Sequence, residues 1–317
     1  MRSAFIRAIT ALAERDERVH LIVGDLGFGV VENFAQRFPK QFLNAGVAEQ
    51  NMTGVAAGMA LSGKIAFTYS IANFPILRCL EQIRNDVCYH RANVKIVAVG
   101  GGLAYGSLGS THHATEDIAI MRALPRMVVV APGDPMEAEA ATEAIASHSG
   151  PCYLRLGRAG EASVHQEKID FQLGKAIQVR DGKDFTLVST GGLLETAVQL
   201  AEYFRHTGLR ARVLSMHTVK PIDSDAILAA ARETRAIFTL EEHSLIGGLG
   251  GAVAEVLAEA GTPGTVFKKF GLPSEFSSVI GTQEYIRAKY GLSVVALTAA
   301  IRSTLKNEPT FSVTTAG

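Results

Sequence analysis

Three features are scarce or absent in this 317-residue chain, and each absence excludes something. Cysteine is scarce: Cys79, Cys88 and Cys152 form an odd, widely spaced set. Cys79 and Cys88 are nine residues apart on one predicted helix, which puts them on opposite faces. No disulfide framework or metal knuckle follows, so a reducing, cytoplasmic setting is expected. Net charge is absent, because Lys+Arg and Asp+Glu both number 31. That balance leaves no electrostatic footprint for nucleic acid or an anionic membrane. Long apolar runs are also missing, and the opening residues do not read as a signal peptide, so no membrane span is expected.

What is present is a core-forming α/β pattern. Hydrophobic residues make up 47% of the chain and charged residues 20%, which is ordinary for a soluble domain with a large interior. Apolar strands are expected over 19–23, 65–69, 94–99, 127–130 and 152–156. They alternate with helices, one of them starting at Pro75 with Ile76, Leu80, Ile83 and Val87 on one face. A second module repeats the theme, with strands over 185–189, 210–214, 236–240 and 266–270. The fold class is therefore α/β, with two doubly wound, mostly parallel-sheet domains. The expected limits are 1–165 and 183–306, a linker over 166–182 and a flexible tail over 307–317.

The glycine turns Gly191-Gly192 and Gly247 to Gly251 lie where strands lead into helices. Neither is followed by Gly-Lys-Ser/Thr, and neither has dinucleotide-binding spacing, so both read as tight turns. Two other places carry chemistry. Glu49, in Ala-Glu-Gln-Asn-Met, opens a helix of small residues that permits close packing. A carboxyl group buried there without a countercharge is a competent proton donor and acceptor near neutral pH, although a helix start also favours a carboxylate for purely structural reasons. His112-His113 precede a helix at the carboxyl edge of a parallel sheet, where ligand crevices open. Adjacent side chains rarely converge on one ion and no third ligand is spaced to help, so these imidazoles suit hydrogen bonding or proton relay better than zinc.

In order along the chain stand Ala-Glu49-Gln-Asn-Met, Gly-Ser-Thr-His112-His113, and the run from Glu241 to Gly250, Glu-Glu-His-Ser-Leu-Ile-Gly-Gly-Leu-Gly. Together they resemble the C-terminal half of a transketolase, over nearly the whole chain: a pyrimidine-binding domain followed by the transketolase C-terminal domain. Glu81-Gln82-Ile83-Arg84-Asn85 and the run Gly150 to Arg158 agree with it. The resemblance implies thiamine diphosphate held between two chains, with the aminopyrimidine on this module. The diphosphate and Mg2+ would belong to another domain, marked by a Gly-Asp-Gly that is absent here. It therefore implies a split enzyme, inactive alone, whose partner is an N-terminal transketolase subunit in an α2β2 heterotetramer, acting on sugars or sugar phosphates. The small-residue helix that follows Glu49 is a candidate interface, its alternative being packing within the chain.

By the same resemblance, Glu49 matches the glutamate that hydrogen-bonds the pyrimidine ring nitrogen and supplies its proton. Phe74 stands where an aromatic stacks on the pyrimidine, with Tyr69 and Ile71 as alternatives. Asp25 matches an acidic residue near the cofactor crevice. His112 matches a histidine that contacts substrate oxygens, and His113 is a candidate for proton transfer. Arg158 matches an arginine that holds a sugar phosphate, and Arg2 is a candidate second. No metal ligand is assigned to this chain. Two departures stand out: Leu108 replaces an aspartate four residues before His112, and Gly100-Gly101 stand where a further substrate-contacting histidine is expected. Both remove polar contacts to the usual xylulose 5-phosphate and ribose 5-phosphate pair. The beta subunit of a 2-oxoacid dehydrogenase, with a lipoyl-bearing partner, and a non-catalytic assembly subunit are the competing readings.

Overall fold

A computed structural model describes residues 1–262 and 264–306; the tail expected over 307–317 lies outside the described residues. Helix α1 (Arg2–Arg15) leads into β1 (Val19–Val23), α2 (Glu32–Arg37), β2 (Phe42–Asn44), α3 (Glu49–Leu61) and β3 (Ile65–Ile71). Next come α4 (Phe74–Leu77), α5 (Leu80–Gln82), a π-helix (Ile83–Tyr89), β4 (Val94–Val99), α6 (Asp117–Ala123), β5 (Val128–Val130), α7 (Pro135–Ser147) and β6 (Cys152–Leu156). The second half holds β7 (Ile177–Arg180), β8 (Phe185–Ser189), α8 (Leu194–His206), β9 (Ala211–Ser215), β10 (Thr218–Lys220) and α9 (Ser224–Glu233). It ends with β11 (Ala236–Ser244), α10 (Leu249–Glu259), β12 (Val266–Leu272), α11 (Gln283–Lys289) and α12 (Val294–Lys306).

Two sheets result, ordered β10-β5-β6-β4-β3-β1-β2 and β12-β11-β8-β9-β7. Every pairing is parallel except β10 on β5 and β7 on β9. Strands covered on both faces must be apolar throughout, and all six residues of β4 are buried. Its one charge, Lys95, donates to the carbonyls of His148 and Gly150 at 2.7 and 2.6 Å. One face of the first sheet packs under α1 and α7, with Phe5, Ile9 and Tyr69 in the core, while the α3 face buries Met52, Ala56 and Ile96.

Several expectations change. The helix predicted from Pro75 is broken into α4, α5 and the π-helix, so Cys79 and Cys88 enter the same core rather than opposite faces. Part of the expected linker is β7, an antiparallel edge of the second sheet. The strand β10 crosses back to pair with β5, so the two halves share a sheet. Between them Val164 and His165 donate backbone N–H groups to Asp134, both at 3.0 Å, and Asp134 also caps α7 through the Glu137 N–H.

A buried polar clasp also crosses the junction. Arg155 Nε donates to Asp117 Oδ2 at 2.6 Å and its Nη2 to the Glu242 carbonyl at 3.0 Å. Tyr153 donates to the same Asp117 oxygen at 2.6 Å. Glu242 in turn accepts from Gln283 and Arg287. Glu241 accepts from the N–H groups of Leu249 and Gly250 at 2.7 and 2.8 Å. The α10 N-terminus is thus capped from within the chain, which accounts for the glycine run at 247–251 without a ligand.

Candidate active site

The site grows from the carboxyl ends of β1, β3 and β4, the edge where parallel sheets open their crevices. Glu49 is the first residue of α3 and is 3% exposed. It lies under Gly24, the residue after β1, where an added Cβ would sit 3.6 Å from the Glu49 Cγ and from Ser70 Oγ. Ser70 Oγ donates to Glu49 Oε1 at 3.4 Å. Thr53 Oγ1 donates to the Glu49 carbonyl at 2.8 Å, fixing the first turn.

Glu49 does not lack a countercharge, contrary to the sequence expectation. Arg78 Nη1 donates to Glu49 Oε2 at 3.0 Å. The Arg78 side chain is 50% exposed, and its Cζ lies 4.3 Å from the Phe74 ring centre. The break after α4 makes this geometry, because Phe74 opens α4 and Arg78 closes it. Gln50 Nε2 holds the Arg78 carbonyl at 2.9 Å.

The row continues beyond Phe74. Its ring meets His112 edge-on at 5.2 Å and 68°. Tyr105 lies 6.4 Å beyond His112, and Arg158 stands with Cζ 5.1 Å from the Tyr105 ring centre. Asn73 Nδ2 donates to the Thr111 carbonyl at 2.9 Å and Thr111 Oγ1 pairs with His112 Nδ1 at 3.1 Å, so the histidine loop is tied to the end of β3. Glu49, Arg78, Phe74, His112, Tyr105 and Arg158 therefore form one contiguous line.

Other expected site residues fall elsewhere. Tyr69 is 1% exposed and stacks on Phe5 at 5.8 Å, on the α1 side of the sheet, away from Ser70 and Glu49. Burial pushes its phenol far above the ordinary range. Ile71 shares that face by strand alternation. That face is opposite to the one on which Ser70 meets Glu49, and Phe74 is the aromatic that shares Arg78 with Glu49. His113 is buried and turns its Nε2 toward the Gly106 carbonyl at 3.4 Å, bracing the turn over 106–108. Burial holds its imidazole below the ordinary value. Asp25 is exposed at the rim with φ +51° and accepts from Asn44 Nδ2 at 2.9 Å. Among the described residues no group of three or more His, Cys, Asp or Glu could hold a metal ion.

Sequence reading missed Arg78 and Tyr105. The first had a signal in its spacing, four residues after Phe74 on one helical face. The signal for the second was the glycine run at 100–102, which makes room for it. Arg2 Nε is buried and has no hydrogen-bond partner among the described residues.

Comparison with known proteins places this geometry. Residues 1–160 match the transketolase pyrimidine-binding domain and residues 174–296 the transketolase C-terminal domain. The chain belongs to the transketolase family. It is 40% identical over 293 residues to one of the apulose-4-phosphate transketolase subunits of Phocaeicola vulgatus, covering 92% of this chain and 93% of that one. It is 38% identical to the 6-deoxy-6-sulfo-D-fructose transketolase subunit SqwH of a Clostridium species, covering 95% and 92%. A solved structure described as a split gene transketolase, inactive beta4 tetramer, superposes with a TM-score of 0.86 at 38% identity over 96% of this chain and 97% of that one. The transketolase of Campylobacter jejuni shares the fold, with a TM-score of 0.78 at 17% identity, and this chain spans 46% of it. The chain thus corresponds to the C-terminal half of a transketolase, with the domains and order expected from its motifs.

Proposed function

We propose that this chain is the C-terminal subunit of a split, thiamine-diphosphate-dependent transketolase, transferring a two-carbon ketol unit from a ketose phosphate to an aldose. The observation that carries the reading is the buried Glu49 at the head of α3, in line with Phe74 and His112. These residues suit an aminopyrimidine: a buried carboxyl beside a glycine that leaves room, and a half-buried aromatic ring linked to it through Arg78. Glu49 would hold a pyrimidine ring nitrogen and move a proton at its Oε2, and Phe74 would stack on the ring. When bound, thiamine diphosphate supplies the electron sink that stabilises the carbanion left by C–C cleavage.

The remaining residues bind and orient the sugar. His112, held by Thr111 and packed between Phe74 and Tyr105, presents an imidazole to substrate oxygens. Arg158 closes the row with a guanidinium, the group suited to a phosphate. His113 acts by keeping the histidine loop in place. An arginine at the far end fits a phosphorylated sugar better than a short 2-oxoacid.

The diphosphate and Mg2+ fall to a partner chain in this reading, since Gly-Asp-Gly is absent here. The partner is an N-terminal transketolase subunit in an α2β2 assembly working in the cytoplasm. Among the described residues no helix is long and apolar enough to cross a membrane. Mixing this chain with such a partner at millimolar Mg2+ and assaying a ketose and an aldose panel tests the proposal. Turnover should require both chains and thiamine diphosphate; turnover of 2-oxoacids instead would replace it with the decarboxylase reading.

A further inference from the structure

Gly100, Gly101 and Gly102 follow β4 without side chains, and other residues occupy each space. A Cβ on Gly101 would lie 2.6 Å from Arg155 Nε, and one on Gly102 would lie 2.7 Å from Glu242 Oε1. Gly100, at φ +83°, is covered by Tyr105, whose ring atoms would overlap an added Cβ. The Tyr105 ring therefore lies across the strand end, in the space that a side chain at position 100 would fill.

This ring is the last aromatic of the row, between His112 at 6.4 Å and the Arg158 guanidinium at 5.1 Å. Burial pushes its phenol up, while the charges of Arg158 and Arg2 pull it down. A guanidinium and a phenol thus meet at one end of the line that begins at Glu49. A multivalent oxyanion is the ligand that satisfies such donors together. On the same turn, Leu108 donates its backbone N–H to the Tyr105 carbonyl at 2.8 Å and leaves its apolar side chain 51% exposed.

We propose that Tyr105 is a specificity-determining residue whose hydroxyl donates a hydrogen bond to the phosphate end of the sugar, beside Arg158. The proposal rests on the transketolase reading of the Glu49 row and deepens it. It gives the strand end at Gly100-Gly101 a polar contact supplied from the neighbouring loop.

The test uses the two-subunit complex loaded with thiamine diphosphate and titrated calorimetrically with ribose 5-phosphate and with ribose. Tyr105→Phe keeps the ring over Gly100 and removes only the hydroxyl. It should weaken ribose 5-phosphate binding about tenfold, the scale of one hydrogen bond to a charged group. Affinity for ribose and for thiamine diphosphate should stay at the wild-type value. Unchanged ribose 5-phosphate affinity in Tyr105→Phe, or a wild-type complex that binds the two sugars equally, overturns the proposal. A complex that fails to bind thiamine diphosphate in the loading step overturns the underlying transketolase reading instead, and is seen before any sugar is added.

Discussion

Arg78 joins Glu49 to Phe74: its Nη1 is 3.0 Å from Glu49 Oε2 and its Cζ is 4.3 Å from the Phe74 ring centre. A planar, nitrogen-bearing cation thus engages the same carboxylate and the same ring that an aminopyrimidine would use. In the proposed reading, cofactor and Arg78 would compete for them. Because the guanidinium is half exposed, the ion pair is worth no more than about 1 kcal/mol. Arg78→Ala should therefore tighten thiamine diphosphate binding by the two-subunit complex about two- to fivefold. Calorimetry checks this; weaker binding would show that Arg78 supports the cofactor rather than competes with it.

The clasp between the halves makes a stability prediction. Asp117 and Arg155 are both buried and paired at 2.6 Å. Removing one partner strands a charge in the interior, so Asp117→Ala should destabilise the chain by about 3–5 kcal/mol. Urea unfolding followed by circular dichroism measures it. A loss below about 1 kcal/mol would mean that the pair is not desolvated as the structure shows.

Acid stability should follow His217. Its ring is buried, stacked on Phe171 at 3.9 Å, and its Nε2 has no hydrogen-bond partner among the described residues. Burial depresses its pKa from 6.5 to about 4. A histidine kept neutral by the fold contributes stability that is complete above its unfolded pKa and is lost as pH falls from 6.5 toward 4, on the order of 3 kcal/mol in all. Its neighbour His165 has the opposite sign. Burial lowers it, but the 2.8 Å contact with Glu137 more than offsets this, so its net shift is upward. Its contribution is complete below its unfolded pKa and fades as pH rises through the raised value. His217→Gln should flatten the slope between pH 6.5 and 4, read from urea midpoints across that window; an unchanged slope would assign it to other groups.

Leu108 should limit which ketoses are used. Its apolar side chain is exposed on the turn that leads to His112, at the position where the transketolase resemblance expects an aspartate for a donor hydroxyl. Leu108→Asp should raise kcat/KM for xylulose 5-phosphate about tenfold in the two-subunit enzyme, the scale of one hydrogen bond. No gain would place the donor outside the reach of residue 108.

The helix–strand order was legible because its cause is local: apolar runs such as the residues of β4 signal themselves. Glu49 and His112 were legible through motif spacing. The break at Arg78 was not, since Ile76, Leu80, Ile83 and Val87 keep an apolar rhythm straight through it. Insertion of π-helical turns changes which side chains share a face without changing composition, and this is why Cys79 and Cys88 both point inward. The short strands β7 and β10 escaped notice because a few partly polar residues become strand only when a distant edge accepts them. Tyr105 escaped for a similar reason: its place is set by what Gly100 leaves open, a relation between two residues rather than a property of either.

The most direct measurement is thiamine diphosphate binding by calorimetry at millimolar Mg2+, for this chain alone, with its N-terminal partner subunit, and with the partner plus Glu49→Ala. Tight binding only when both chains are present, lost in Glu49→Ala, is the expected result. Binding by the mixture that is indifferent to Glu49, or no binding at all, would contradict the assignment of Glu49 and its row as the cofactor's pyrimidine site.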